Sequence, residues 1–419
     1  MTEMDGGALP DLARYQAVRA RSLQLAAPLS VEDCSAQSMP DASPVKWHLA
    51  HTTWFFETFV LERFEPDFAP FHPAFRVLFN SYYNGIGERH PRSQRGLLTR
   101  PALSEVHAYR TDVDARMARL LGTGGYPGAK AGANAGANVG ANEAALAALV
   151  ELGVQHEQQH QELILTDVLH LLGQSPLLPA YHEGAAAPHG APAALEWLHF
   201  EGGLSAIGHQ GNGFCFDNEL PRHRQFVEPF ALSTRLVSNG EYLAFMDAGG
   251  YRDAALWLAE GWDAVRAQRL AHPLYWRRNE DDNGDGSWRA FTLHGEHRLD
   301  LAAPVTHLSL YEAAACATWM GARLPTEAEW ELGAGGAQGG ALTHMFGACW
   351  QWTSSSYAPD PGYASAPGAL GEYNGKFMLN QYVLRGSSHA TPPGHARASY
   401  RNFFPAGARW QFSGLRLAR

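Results

Sequence analysis

Two histidines stand four residues apart in the segment QHEQQHQELIL, which covers residues 155–165. On an α-helix this spacing puts His156 and His160 on one face, close enough for both imidazoles to bind one metal ion. The apolar, helix-like run KWHLAHTTWFFETF, residues 46–59, carries His48 and His51, and it can supply a third imidazole if its helix faces the first. The sequence therefore predicts a helical bundle in which these two segments pack against each other.

Spacing alone leaves two interpretations of the histidines open. Three neutral imidazoles would leave coordination positions free for a substrate and for dioxygen, which is the pattern of a catalytic metal site. Alternatively, the histidines are surface or hydrogen-bonded core residues, because histidine accounts for 20 of the 419 residues and an HxxxH pair is by itself weak evidence.

Further helical patterns complete the bundle. Residues 11–30 and 102–121 have the periodicity of amphipathic helices, with Ser104 as the expected N-cap of the second. Residues 61–101 are rich in Pro, Phe and Arg and are predicted to form a long loop. A Gly/Ala/Asn tract at about 122–143 is predicted to be a flexible insertion before a helix over residues 144–172.

The amino-acid composition and the hydrophobic pattern change from residue 175 onwards. Residues 175–192 are rich in Pro, Gly and Ala, and beyond them short β-like runs alternate with short helices among many tryptophans and tyrosines. We expect a domain boundary after residue 178, with a four-helix bundle over residues 1–178 and an α+β domain over residues 179–419. The predicted fold class is therefore α+β multidomain. Three helices are predicted in the second domain, in the segments SNGEYLAFMDAGG, SLYEAAACATWMGA and PTEAEWELGA.

Composition argues against several classes of partner and location. The formal charge is −10, from 32 basic and 42 acidic residues, and no Lys/Arg cluster stands out, so no nucleic-acid partner is expected. The acidic N-terminus lacks the features of a signal peptide, and no run of 18 apolar residues predicts a membrane span. The four cysteines show no CxxC or zinc-ribbon spacing, which is typical of a cytoplasmic protein.

Local motifs carry a resemblance to a known family. The segments PVTHLSLYEAAACATWMGARLPTEAEWE, GACWQWT and VLRGSSH resemble, in that order, the formylglycine-generating-enzyme-like domain, a variant of the C-type lectin fold. The segments SPVKWHLAHTTWFFETF and HEQQHQE resemble a DinB-like metal-binding bundle. With both modules in this order, the chain is identified as a member of the iron(II)-dependent sulfoxide synthases of ergothioneine biosynthesis and their relatives, the selenoneine synthases.

The resemblance implies a reaction and its partners. Members of the family use Fe²⁺ and O2 to couple a sulfur or selenium donor oxidatively to C2 of the imidazole of hercynine, the trimethylated betaine of histidine. The resemblance also implies that the active site lies between the two modules. Aromatic side chains suit the trimethylammonium group of hercynine, and a phenol beside the metal can donate a proton.

Matching positions also imply individual roles. His51, His156 and His160 are implied to bind iron, and His48 is expected to be a packing residue or a partner of a ligand. Tyr82 and Tyr83 are implied to form a pair beside the iron that supplies a proton; alternatively, both are packing aromatics of a loop.

The remaining implied roles concern the substrates. Arg89, Arg92 and Arg95 are implied to bind the carboxylate or hydroxyls of the donor. Gln159 is implied to bind hercynine, and Asn402, Phe403 and Phe404 its betaine end.

Departures from the family pattern bear on the donor. Many ergothioneine members read GDVWEWT and GGSCAT where this chain reads GACWQWT, residues 347–353, and GSSHAT, residues 386–391. The branch that uses γ-glutamylcysteine has an acidic residue after Asn-Trp, whereas two phenylalanines follow Asn402 here. We expect Cys349, Gln351 and His389 to line the donor pocket and favour a neutral selenosugar. Coupling of cysteine or γ-glutamylcysteine is the alternative.

Two other function classes share parts of this pattern. A DinB-type zinc-dependent thiol transferase or hydrolase would use the same three histidines with a metal-bound water or thiolate. A lectin-like binding protein would need no metal, and its histidines would be structural. Metal content and O2 uptake separate these classes from the synthase.

Overall fold

The computed structural model describes residues 11–122, 135–184, 190, 193–279, 286–336, 339–365, 371 and 374–419. By its internal contacts the chain divides into two units, residues 1–174 and residues 175–419. The sequence placed the boundary after residue 178.

The first unit is helical throughout its described elements. The side chain of Asp11 accepts a hydrogen bond from the backbone N–H of Ala13 and so caps the first helix, which ends shortly before Pro28. The elements are α1 (Leu12–Ala26), α2 (Val31–Ser35), α3 (Val45–Phe55), a π-helical segment (Phe56–Leu61), α4 (Glu62–Phe64), α5 (Phe75–Leu78), a 3₁₀ helix (Arg92–Leu97), α6 (Leu103–Gly122) and α7 (Ala135–Gly173).

Three details differ from the sequence-based expectations. Ser104 lies inside the first turn of α6 and is not its N-cap; the Glu105 carboxylate instead accepts a hydrogen bond from the N–H of Ala102 at 2.7 Å. The predicted loop over residues 61–101 contains short helices. Helix α7 begins at Ala135, so the predicted insertion is helical from that residue on, even though this part also contains glycine and asparagine. Residues 123–134 of that insertion lie outside the described residues.

Helix α3 lies at the centre of the first unit. Every residue from Val45 to Phe55 is buried, and the helix packs against α2, α6 and α7. Polar side chains on a helix that is enclosed on all sides need hydrogen-bond partners. Lys46, for example, donates a hydrogen bond to the carbonyl of Leu98 at 2.8 Å. His48 and His51 are therefore held inside the bundle.

The π-helical segment packs closely against α7, one turn before the first histidine of the HxxxH pair. A Cβ atom added at Gly153 would lie 2.5 Å from a ring carbon of Phe56 and 2.9 Å from one of Phe55. Phe56 in turn packs edge-on against Tyr15 of α1, with ring centroids 4.9 Å apart. Only glycine allows α7 to approach the two aromatic rings this closely.

We expect Gly153→Ala to destabilise the protein by about 1–3 kcal/mol, because overpacking against the two rings outweighs the gain of about 1 kcal/mol in helix propensity. Urea unfolding of the metal-free protein measures the difference. Gly122→Ala is the matched control, because the nearest atom to its new Cβ belongs to Leu12 at 4.0 Å. Equal stability of the Gly153 and Gly122 variants would contradict this packing.

The second unit mixes short helices and strands. Capping boxes at Ser238, Ser309 and Thr326 begin three of its helices, each with a glutamate three residues on. The helices are α8 (Asn239–Asp247), α9 (Ala259–Gln268), α10 (Leu310–Trp319) and α11 (Glu327–Gly335), and the strands are β1 (Trp197–Phe200), β2 (Gly203–Ile207), β3 (His223–Val227), β4 (Phe230–Ser233), β5 (Trp276–Arg278), β6 (Trp288–Thr292), β7 (Gly295–Arg298), β8 (Trp350–Ser356), β9 (Tyr382–Gly386), β10 (Asn402–Phe404) and β11 (Ser413–Gly414).

Four small sheets organise these strands. The largest has the order β10-β9-β8-β11, with β8 and β9 antiparallel and β11 parallel to β8; the others are β1-β4, β2-β3 and β5-β6-β7. The three predicted helices of this unit are confirmed as α8, α10 and α11. The sequence analysis missed α9, whose N-cap position, Leu258, offers no side-chain capping bond.

None of the described helices combines the length and apolar character needed to cross a membrane.

Candidate metal centre

Three histidines converge inside the first unit. His51 of α3 and His156 and His160 of α7 each offer one ligand atom, and these atoms all lie within 4.8 Å of one another. The Nε2 atoms of His51 and His156 are 3.2 Å apart, and the ring centroids of His156 and His160 are 4.6 Å apart. One metal ion can contact all three imidazoles at bond lengths of about 2.0–2.3 Å.

Burial keeps these imidazoles in the neutral form that binds metals. Removal from water lowers the pKa of each ring below its usual value, and it lowers the pKa of His156 to about 3. For His51 and His160 the neighbouring His156 ring lowers the pKa further. The lone pairs are thus available at neutral pH.

Hydrogen bonds fix which nitrogen faces the cluster. The Nδ1 atom of His51 lies 2.6 Å from the carbonyl oxygen of Phe79, so it carries the proton and leaves Nε2 as the ligand atom. The Nδ1 atom of His160 lies 2.8 Å from Nδ1 of His48. Three uncharged nitrogen ligands with such outer partners fit a divalent transition metal such as iron or zinc.

The face of His51 is covered by an aromatic ring and a buried cation. Trp47 stacks on His51 with ring centroids 4.6 Å apart, and the guanidinium carbon of Arg95 lies 3.3 Å from the centroid of the Trp47 ring. Arg95 donates to the hydroxyls of Ser43 at 2.8 Å and Ser81 at 3.0 Å. This stack places a positive charge beside the metal centre.

Arg95 has no carboxylate within 4 Å among the described residues. Burial, reinforced by the charge of Arg92, lowers the pKa of Arg95 below its usual value. A guanidinium nevertheless stays charged at neutral pH. A buried unpaired cation is unfavourable, so an anionic or hydroxyl-bearing ligand would stabilise it.

The other two predicted arginines lie elsewhere. Arg92 is exposed and donates to the carbonyl of Asp41, while Arg89 is exposed and reaches the carbonyl of Ser81 at 3.5 Å. The structure therefore brings one of the three arginine candidates to the histidine cluster.

The predicted tyrosine pair lies in the aromatic shell of the cluster. Tyr83 is buried, its ring centroid is 5.6 Å from that of Trp54, and Trp54 stacks on His51 at 5.5 Å. The rings of Tyr82 and Tyr83 are 4.6 Å apart and their hydroxyls 3.5 Å apart. Gln159 is half-buried on α7, immediately before His160. Their roles stay predictions.

Three further candidates lie on β10 of the second unit. Phe403 stacks almost parallel on Tyr357 with centroids 4.1 Å apart, and Phe404 packs edge-on against Trp410 at 6.0 Å. The side-chain oxygen of Asn402 accepts a hydrogen bond from the N–H of Phe403. All three residues are half-buried, and their roles also stay predictions.

The prediction that Gln351 lines a donor pocket is wrong. It lies in strand β8 rather than in a loop, it is fully buried, and its Oε1 accepts from Trp330 at 2.8 Å and from Arg416 at 3.0 Å. Its Nε2 donates to the carbonyls of His344 and Met345, both at 3.0 Å. Every hydrogen-bonding position of this amide is therefore used inside the core.

Cys349 does not line a donor pocket either, whereas His389 remains a candidate. Cys349 is fully buried, and burial raises the pKa of its thiol to about 12, so it is a small buried thiol of the core. His389 is exposed, and its ring packs against Phe412 with centroids 4.3 Å apart.

Sequence reasoning missed the ion-pair network that holds α7. Glu157, next to His156, is fully buried and pairs with Arg19 at 2.8 Å and with Arg110 at 2.9 Å; it also accepts from Ser22 at 2.6 Å. Burial alone would raise the pKa of Glu157, but the two arginines outweigh it and lower the pKa to about 2. Because this network anchors one face of α7 to α1 and α6, it fixes the rotation that turns the two histidines towards α3.

Family profiles cover most of the chain. The profile of the DinB superfamily matches residues 14–164, and that of the sulfatase-modifying factor enzyme 1-like domain matches residues 185–341 and 338–419. The predicted fold class, a DinB-like bundle followed by a formylglycine-generating-enzyme-like α+β domain, is confirmed.

Whole proteins that resemble this chain include two mycobacterial enzymes. A hercynine oxygenase of Mycobacterium tuberculosis is 31% identical over 446 aligned residues, with 96% of each chain covered. A hercynine oxygenase of Mycolicibacterium smegmatis is 30% identical, over 91% of this chain and 92% of its own. Ergothioneine biosynthesis protein 1 of Schizosaccharomyces pombe is 26% identical over 49% of this chain and 28% of its own length.

Proposed function

Because this chain belongs to the hercynine oxygenase family, we propose that it is an iron(II)- and O2-dependent enzyme that joins a selenium or sulfur donor to C2 of the imidazole of hercynine. The convergence of three neutral histidine ligands on one point, with His51 and His156 buried and His160 half-buried, carries the proposal. The names of the relatives support hercynine as the substrate and oxygen as the oxidant. The resemblance to the sulfoxide and selenoneine synthases supports the bond that is formed.

His51, His156 and His160 would hold the iron. Bound there, the iron would supply open coordination positions for O2 and for the soft chalcogen atom of the donor. The chain's own contribution is to keep the three imidazoles neutral and correctly oriented and to surround them with Trp47 and Trp54. These rings exclude water from one side of the centre.

Arg95 is the residue we propose for anchoring the donor. Its guanidinium is buried beside the histidines and lacks a carboxylate partner among the residues described, so a carboxylate or a pair of hydroxyls would complete its hydrogen bonding. Tyr82 and Tyr83 would hold and donate a proton near the centre, since a phenol is neutral at physiological pH and can give its proton to a reduced oxygen species.

For hercynine we propose recognition by a polar side chain and by aromatic faces. Gln159, half-buried beside His160, would bind the imidazole end. Asn402, Phe403 and Phe404 would meet the betaine end, where aromatic faces attract a trimethylammonium group.

A selenosugar is the donor we propose, with cysteine or γ-glutamylcysteine as the alternative that the relatives equally support. Gln351 and Cys349 no longer favour either donor, because both are enclosed in the core. What remains is the absence of an acidic residue after Asn402 to pair with the ammonium group of a cysteine-type donor, and the exposed imidazole of His389, which can bond hydroxyls.

We expect a 1-seleno sugar to be coupled to hercynine at least about tenfold more efficiently than cysteine, which corresponds to about 1.4 kcal/mol at the transition state. The ratio of kcat/KM in parallel assays measures this preference. The His156→Ala variant, assayed with each donor, gives the uncatalysed background. Equal or better coupling of cysteine or γ-glutamylcysteine would assign the chain to the sulfur branch instead.

The decisive experiment is anaerobic reconstitution with Fe(II) and hercynine, followed by O2 and each donor in parallel. Stoichiometric iron with hercynine-dependent O2 uptake and a C2-substituted product supports the proposal. Stoichiometric zinc and thiol transfer without O2 uptake would favour the DinB-type transferase, which the three histidines alone fit equally well. A protein that binds neither metal would be a binding protein.

A further inference from the structure

We propose that His48 and Asp167 are positioning residues that fix the tautomer of His160 and strengthen it as a metal ligand. The inference rests on the metal site of the proposed function. It concerns two residues that are not ligands themselves. Both are almost fully buried, with 2% of His48 and 6% of Asp167 exposed.

Two hydrogen bonds, both made by His48, link the carboxylate of Asp167 to the ligand His160, and a third holds the carboxylate in place. The Nε2 atom of His48 lies 3.0 Å from Oδ2 of Asp167, and its Nδ1 atom lies 2.8 Å from Nδ1 of His160. The same carboxylate oxygen accepts from the backbone N–H of Ser43 at 2.8 Å. A continuous chain therefore runs from α7 to α3 and back to α7.

The protons in this chain can be assigned in one way that allows metal binding. A carboxylate only accepts, so Nε2 of His48 carries a proton and donates it to Asp167. Neutral His48 then has a lone pair on Nδ1, which accepts from Nδ1–H of His160. His160 consequently keeps the lone pair of Nε2 for the metal. If His48 carried protons on both nitrogens, Nδ1 of His160 would have to accept, and its Nε2 would carry a proton and could not bind a metal.

The charges of the buried acids also support a role for Asp167 at the metal site. Asp167 pairs with no lysine or arginine within 4 Å in the described part of the chain, although its charge raises the pKa of Arg95, and it pairs with His48. Glu157, another buried acid near the cluster, is already neutralised by Arg19 and Arg110. Three neutral imidazoles leave the full positive charge of a bound dication uncompensated, so a buried carboxylate two hydrogen bonds away stabilises the loaded site.

Ser43 extends the chain to Arg95. Its backbone N–H binds Asp167, while its hydroxyl accepts from Arg95 at 2.8 Å. Asp167, which helps to orient a metal ligand, and Arg95, which is proposed to anchor the donor, therefore both bond Ser43 in the short segment before α3. His51, by contrast, is oriented by a backbone carbonyl, which no side-chain substitution removes.

The test compares variants that keep or break the hydrogen-bond chain from Asp167 through His48 to His160. His48→Gln retains one acceptor and one donor and can still bridge His160 and Asp167, whereas His48→Leu breaks both bonds. Asp167→Asn keeps the shape and removes the charge. His170→Gln is the matched control, because His170 lies one turn after Asp167 on the same helix and feels its charge, but bonds the hydroxyl of Ser38 and makes no bond to His48 or His160.

The readouts are the Co(II) and Zn(II) dissociation constants of the full-length protein from chelator competition, the visible spectrum of the Co(II) form, and unfolding of the metal-free protein. We expect affinity to fall about 10–100-fold in His48→Leu and Asp167→Asn, with a shifted Co(II) spectrum. We expect His48→Gln to stay within about threefold of wild type, and His170→Gln to be unchanged.

Wild-type affinity and spectrum in both His48→Leu and Asp167→Asn would overturn the inference while leaving the metal site intact. A wild-type protein that binds none of Co(II), Zn(II) or Fe(II) would overturn the proposed function itself. If His48→Leu does not fold, the metal affinity of Asp167→Asn tests the inference instead, because asparagine has nearly the same volume as aspartate. If His48→Gln loses as much affinity as His48→Leu, the hydrogen-bond chain is not what orients His160.

Discussion

Replacing any one of His51, His156 or His160 with alanine is expected to abolish metal retention and turnover together. Losing an outer hydrogen-bond partner of a ligand typically weakens metal binding 10–100-fold, and losing a ligand must exceed that. We therefore expect at least about 100-fold weaker iron binding, or about 2.7 kcal/mol, in each variant. Iron content after desalting and product formation from hercynine measure the two effects.

The control for this prediction is His170→Ala, on the same helix as two of the ligands but outside the cluster. Unfolding of the metal-free proteins separates loss of a ligand from loss of the fold, because the ring of His156 also packs against Phe55 at 4.9 Å. A His156→Ala protein with full iron content and full activity would remove these three histidines from the mechanism.

The two histidines on α7 could be placed from sequence because their geometry is local to one helix. Helical periodicity fixes the relative directions of His156 and His160 without knowledge of the rest of the fold. The third ligand required two helices to face each other, and the apolar composition around His51 predicted that. Asp167 carries the same kind of signal, since it lies seven residues after His160 and hence on the same helical face.

The donor pocket could not be predicted because its assignment depended on tertiary structure. A glycine and aromatic residues, as in the segment with Cys349 and Gln351, are typical of a pocket loop, but pairing with β9 and β11 places Gln351 in the interior of a sheet. Arg95 differs from the other two arginines in its burial and in its hydrogen bonds to Ser43 and Ser81, which lie 52 and 14 residues away in sequence. No spacing rule distinguishes it from Arg89 or Arg92.

Glu157→Gln is expected to destabilise the first unit by about 3–5 kcal/mol, although the substitution changes hardly any volume. The carboxylate is fully buried between Arg19 and Arg110, and its removal leaves two buried guanidinium groups with much less compensation. A domain is typically stable by only about 5–15 kcal/mol, so the loss is a large share of the total. Because the same network sets the rotation of α7, metal affinity should fall as well.

The matched control is Glu151→Gln, six residues earlier on α7. Glu151 pairs with Arg14 at the surface, where the two side chains are 29% and 42% exposed, so its loss should cost less than about 1 kcal/mol. Urea unfolding of the metal-free proteins compares the two variants directly. If both lose the same stability, the buried network does not hold α7 in place, and the direction of the two histidines must be set by the contacts of α7 with the aromatic residues around Gly153 instead.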